Sequence, residues 1–203
     1  MATEEKKNTS APEHKSPIQY DPALERQKEE ARKIEKKLRN QGKLPEPIIY
    51  TESGEVKKAS DLNKKEQEQE IIRCVSNPIY FIETYLTIFD QTKGNGGEIV
   101  PFKLFDFQKE LIENYLNNRF VVTNKYRQAG ISTTTCAYIA WYVMFKSNRS
   151  VAIVANKLET ARDELMSDVV DFIDGCPSWL RPKPAVKDTQ KLKRYDNGCQ
   201  LSA

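Results

Sequence analysis

Apolar residues are unevenly spread along the chain, and their spacing changes character near Glu66. Ahead of that point, Leu24, Ala31, Ile34 and Leu38 form a thin stripe, partly at helical spacing, in a highly charged stretch. Asp21 as N-cap, Pro22 in the first turn and Gly42 past the end predict a charged helix over 21–42. Residues 1–17 are small, charged and proline-containing, the composition of a disordered tail. KLPEPIIYTESGEVKKASDLN then reads as a linker, with a small hairpin turning at Ser53-Gly54.

Beyond it, EQEQEIIRCVSNPIYFIETYLTIFD is amphipathic, with Ile71, Ile72, Val75, Ile79, Phe81 and Ile82 able to face a core. Pro78 divides it into two helices, the second starting after Ser76-Asn77. After a polar turn at TKGNGGE come a strand at EIVPFKL, a helix at FDFQKELIENYLNN and a buried strand at RFVVTN. STTTCAYIAWYVMFK predicts a helix, SVAIVAN a strand and LETARDELMSDVVDFIDG another helix. A loop with Pro177, Pro182 and Pro184 leads to a hairpin around Asp196-Asn197-Gly198. Strands apolar on both faces alternating with helices predict an α/β fold, a mostly parallel sheet flanked by helices. The division is a tail, charged helix and linker over 1–65 and a packed domain over 66–203.

Composition narrows the chemistry only a little. A net charge of +3 over 203 residues, with both signs spread along the chain, leaves nucleic-acid contact to a local patch. Cys74, Cys136, Cys176 and Cys199 make no C-x-x-C pair, and the single histidine, His14, falls in the tail. That excludes the usual metal spacings and points to reduced thiols. No apolar run has the form of a secretion signal or reaches spanning length, so the expectation is a soluble, unsecreted protein without a membrane partner.

The chemistry concentrates in FVVTNKYRQAGISTTTCAYIAWYVMF, where a β-branched run gives way to a turn with one glycine and then a helix. This is the layout of a phosphate loop. Gly130 lets the backbone approach an anion, and the helix starting at Ile131 offers unpaired N–H groups and its positive dipole end. Ser132 stands where G-x-x-x-x-G-K-[ST] places its magnesium-binding hydroxyl. Two positions depart: the first glycine is Lys125, and the lysine is Ile131. A triphosphate still needs a cation, and Lys125 and Arg127 on the N-terminal arm can reach back over it, arginine with a fork that matches paired oxygens. An ordinary strand-turn-helix with a capped start is the alternative.

The order NPIYFIETYLTIFD, FKLFDFQKELI, NRFVVTNKYRQAGISTTT, VAIVANK and DNGCQL resembles the N-terminal ATPase region of the large terminase subunit of T-even-type tailed bacteriophages. The resemblance covers about 66–203. It implies a P-loop NTPase-type sheet, here incomplete, in the ATP-driven motor that packages double-stranded viral DNA into proheads. It implies ATP and Mg2+ as cofactors. The implied partners are the portal, the prohead, the small terminase subunit and a separately encoded C-terminal piece, in the host cytoplasm.

By resemblance, Arg127, Gln128, Ala129, Gly130, Ile131, Ser132 and Thr133 form the Walker A loop, with Arg127 or Lys125 as its catalytic cation and Ser132 on the metal. Phe107 and Gln108 match the family's adenine-contacting aromatic-Gln pair, and Asn156 and Lys157 a helicase-like motif. The family continues into an acidic Walker B strand and a nuclease domain, whereas DELMSD falls on a predicted helix. ATP binding with weak or no hydrolysis by this chain alone is the resulting expectation. A helicase-like P-loop ATPase, or a binding module with an empty loop, are the rivals.

Overall fold

The computed structural model describes Arg26, Glu30, Lys33, Ile34, Lys37, Gln41 and residues 44–51, 54–90, 92–93, 97–126, 128–183, 187–189 and 191–203. The expectations for the tail, for the Asp21, Pro22 and Gly42 helix signals, and for Ser53, Arg127 and Pro184 lie outside these residues. Arg26, Glu30, Lys33, Ile34 and Lys37 are helical.

The linker carries the hairpin its turn chemistry predicts. β1 (Ile48–Tyr50) pairs antiparallel with β2 (Val56–Lys58), and Gly54 takes φ +82° in the turn. The hairpin is part of the packed body rather than outside it, since Ile49, Ala59 and Leu62 join the main core. Trp179 Nε1 ties this part down by donating to the Ala59 carbonyl at 3.3 Å. Packing therefore starts earlier than the composition shift near residue 66 suggests.

α1 (Lys64–Ser76) opens on a capping box: the Asn63 side chain accepts from Glu66 N–H at 3.0 Å, and Glu66 Oε2 accepts from Asn63 N–H at 2.9 Å. α2 (Pro78–Tyr85) begins after Asn77, whose side chain accepts from Tyr80 N–H, with Pro78 in the first turn. The break at Pro78 stands as predicted. The buried face of α1 does not: Ile72 and Val75 are exposed, while Glu70 and Cys74 are buried. Burying a carboxylate costs several kcal/mol unless it is bonded. Glu70 Oε1 accepts from Tyr80 Oη at 2.6 Å and Tyr85 Oη at 3.1 Å, which a period count on α1 alone cannot foresee.

β3 (Thr87–Asp90) and β4 (Glu98–Pro101) form a separate antiparallel pair. α3 (Asp106–Asn117) then leads through residues 118–130 to α4 (Ile131–Phe145), the central helix, buried at Thr134, Cys136, Ala137, Ala140, Trp141, Val143 and Met144. Trp141 Nε1 donates to the Cys74 carbonyl at 2.8 Å, locking α4 to α1. β5 (Ser150–Ala152) precedes a π-helical segment (Thr160–Met166) that runs on into α5 (Ser167–Asp174), which packs along α4.

The sheet corrects the expectation of a mostly parallel one. β6 (Lys187–Thr189), β7 (Leu192–Arg194) and β8 (Gln200–Ser202) lie with β5 in the order β5-β8-β7-β6. β5–β8 is parallel, with Val151 opposite Leu201; the β8–β7 and β7–β6 pairs are antiparallel. The fold is α/β with small sheets. RFVVTN, predicted as a buried strand, forms no strand and is unpaired, with a bend at Arg119 and with Phe120 81% and Val122 98% exposed. A strand forms only against a neighbour that takes its N–H and C=O groups, and among the described residues none lies beside this one.

Candidate phosphate-loop site

α4 gives the site its foundation. Fifteen residues long, it starts at Gly130, the N-cap, which has φ +70° and no side-chain cap. The first intrahelical bond runs from Thr134 N–H to the Gly130 carbonyl, so the N–H groups of the turn before it point outward without helical partners. Gln128 also has a left-handed φ of +66°, while Ala129 between them does not. Such alternation turns successive N–H groups into one concavity, the geometry that cradles anions.

The Ser-Thr-Thr-Thr run divides by hydrogen bonding. Thr134 Oγ1 donates back to the Gly130 carbonyl at 3.0 Å, and Thr135 Oγ1 to that of Ile131 at 2.8 Å, which commits both hydroxyls to the helix. Ser132 is exposed and Thr133 partly so, on the open end. Lys125 Nζ donates to Ser132 Oγ at 3.3 Å, reaching back from the N-terminal arm to the helix start. A charge thus stands at the mouth of the loop although Ile131 carries none. Ile131 is instead half-buried and lines the neighbouring cleft. Arg127 lies outside the described residues.

Gln108 is the pin of the loop. Its Oε1 accepts from Phe105 N–H at 3.1 Å, and its Nε2 donates to the Ala129 carbonyl at 3.3 Å. The first bond stabilises the start of α3 and the second fixes the loop to it. Phe107 stacks on Phe105 with centroids 5.7 Å apart and planes 7° from parallel, and both rings are exposed. Known protein-family models give no match to this chain.

Beside the loop lies a cleft of about 620 Å3 between α3 and residues 120–126, with Phe107, Leu111, Phe120, Val121, Lys125 and Ile131 on its walls. That volume is within the range of small-ligand sites. Phe120 and Val121 contribute to it because RFVVTN stays unpaired, which the sequence pattern did not indicate. Phe105 also escaped the sequence reading, although the spacing of two phenylalanines around Asp106 was visible in FDF. Asn156 and Lys157 are exposed just past β5, and Val154 beside them is 88% exposed. Among the described residues no group of three His, Cys, Asp or Glu side chains is placed to hold a metal, and no helix is long and apolar enough to cross a membrane.

Proposed function

We propose that residues 125–133 bind the phosphates of Mg-ATP, with Lys125 supplying the cation that Ile131 cannot. The bond from Lys125 Nζ to Ser132 Oγ carries this reading: it sets a mobile positive charge and a magnesium-competent hydroxyl together over uncapped helix N–H groups. A triphosphate entering there takes the N–H groups with its oxygens and draws Lys125 from the hydroxyl onto itself. Ser132 Oγ is then free to join the ligand shell of the magnesium that arrives with the nucleotide. Arg127, on the same arm, adds a second cation.

Within the terminase resemblance, the chain serves as the nucleotide-holding N-terminal part of a DNA-packaging motor. Its partners are then double-stranded viral DNA, the portal and prohead, the small subunit and a C-terminal terminase piece. Residues 119–124, unpaired among the described residues, leave N–H and C=O groups with which an acidic strand of the family's kind could pair. The P-loop NTPase sheet and the placement in the host cytoplasm belong to this proposal.

Titration of a fluorescent ATP analogue with magnesium tests it. Saturable binding that Lys125→Ala weakens more than Ile131→Ala supports a displaced charge. No saturable binding favours an empty-loop module, and stimulation of hydrolysis by free nucleic acid without a portal favours a helicase-like ATPase.

A further inference from the structure

We infer that the loop takes nucleoside triphosphates with little regard for their base; this rests on the phosphate-binding reading above. A site rejects the wrong base when that base leaves a buried polar group of the protein unpaired, which costs far more than a missing contact in water. Among the described residues, every buried side-chain nitrogen or oxygen already has a partner. Among them, no buried side chain is left waiting for adenine.

Gln108, the residue whose type best suits reading an adenine edge, is spent. Only 3% exposed, it uses Oε1 on Phe105 N–H and Nε2 on the Ala129 carbonyl. It faces the loop and not the cleft: a Cβ built on Gly130 would lie 2.8 Å from its Nε2. It is a positioning residue, acting on phosphates through the backbone it holds. In the cleft, Asn118 Nδ2 is bonded to the Asn114 carbonyl at 3.1 Å. Glu110, Thr123 and Asn124 are exposed, so any edge bond they make replaces one to water and discriminates weakly. Among the described residues, the cleft then offers the base the exposed rings of Phe107, Phe120 and Tyr126, and stacking serves every base.

Competition of Mg-ATP, Mg-GTP, Mg-UTP and tripolyphosphate against a triphosphate labelled on its ribose tests this on the unaltered protein. The three nucleotides should displace the label with affinities within about threefold of one another, as expected of stacking without edge readout. Gln108→Glu keeps the acceptor for Phe105 N–H and loses the donor to Ala129. It should weaken all three nucleotides and tripolyphosphate by the same factor. Mg-ATP tighter than Mg-GTP by tenfold or more, or a Gln108→Glu defect confined to Mg-ATP, overturns the inference and leaves phosphate binding standing. Failure of every competitor and of the label to bind overturns both.

Discussion

Lys125 Nζ and Ser132 Oγ meet at 3.3 Å across the opening of the loop, seven positions apart in sequence. Under the proposed phosphate binding, the contact would supply, from a side chain of the incoming arm, a charge that phosphate loops usually draw from the helix itself. Lys125→Ala should weaken Mg-nucleotide binding about ten- to hundredfold, the worth of one hydrogen bond to a charged group. Adding Ile131→Lys to that variant should recover most of the loss. Isothermal titration of both variants decides it, and an unrescued double variant would mean that the position of the cation matters as much as its presence.

Gly130→Ala should lower stability by about 1–3 kcal/mol, because an alanine at φ +70° is strained and its Cβ would press on Gln108 Nε2. The urea midpoint measures it. An unchanged midpoint would show that the loop rebuilds around the methyl group.

Trp141→Phe removes the donor to the Cys74 carbonyl at the junction of α4 and α1. The orphaned buried carbonyl should cost about 1–3 kcal/mol, with some further loss from the vacated volume. Loss of less than the urea assay resolves would argue against a dry α1–α4 contact.

How much of this was legible in advance follows the range of each interaction. The Asn77-Pro78 break, the Gly54 and Gly198 turns and the start of α4 are set by a few neighbouring residues, and the sequence pattern placed them. Glu70 could not be placed, since its burial depends on hydroxyls 10 and 15 positions away. RFVVTN shows the same limit from the other side: its β-branched residues favour extension, but pairing needs a neighbour that no local pattern specifies. Lys125 was nameable from charge alone, whereas the double commitment of Gln108 required coordinates.

Alkaline pH should destabilise the fold. Burial raises the Cys136 thiol to about 12 and also raises Cys74, Tyr80 and Tyr85, the last three further raised by Glu70. Below the unfolded thiol pKa of about 8.5, these groups are protonated in both states and their contribution is whole. Above it the unfolded chain alone releases protons, so stability falls as pH climbs toward the folded values. Urea midpoints at intervals between pH 8 and 11 should decline steadily, and a flat series would contradict a buried thiol and phenol cluster.

Val122→Lys should leave the unfolding free energy within about 0.5 kcal/mol, as expected of a surface change, while reducing any self-association through the unpaired residues 119–124. Light scattering at matched concentration reads the second effect. Equal scattering would locate any aggregation elsewhere than at residues 119–124.

The pairing of β5 with β8 also sets the order in which the molecule can be made. Leu201 fills its buried place beside Val151, and Asn197 Nδ2 closes the end of α4 by donating to the carbonyls of Val143 and Lys146 at 2.7 and 3.1 Å. A ribosome has therefore released α4, with its broad apolar surface, well before the residues that finish it emerge. Until then the apolar surface of α4 lacks part of its cover, so closure of that long segment is expected to limit the folding rate more than helix formation does.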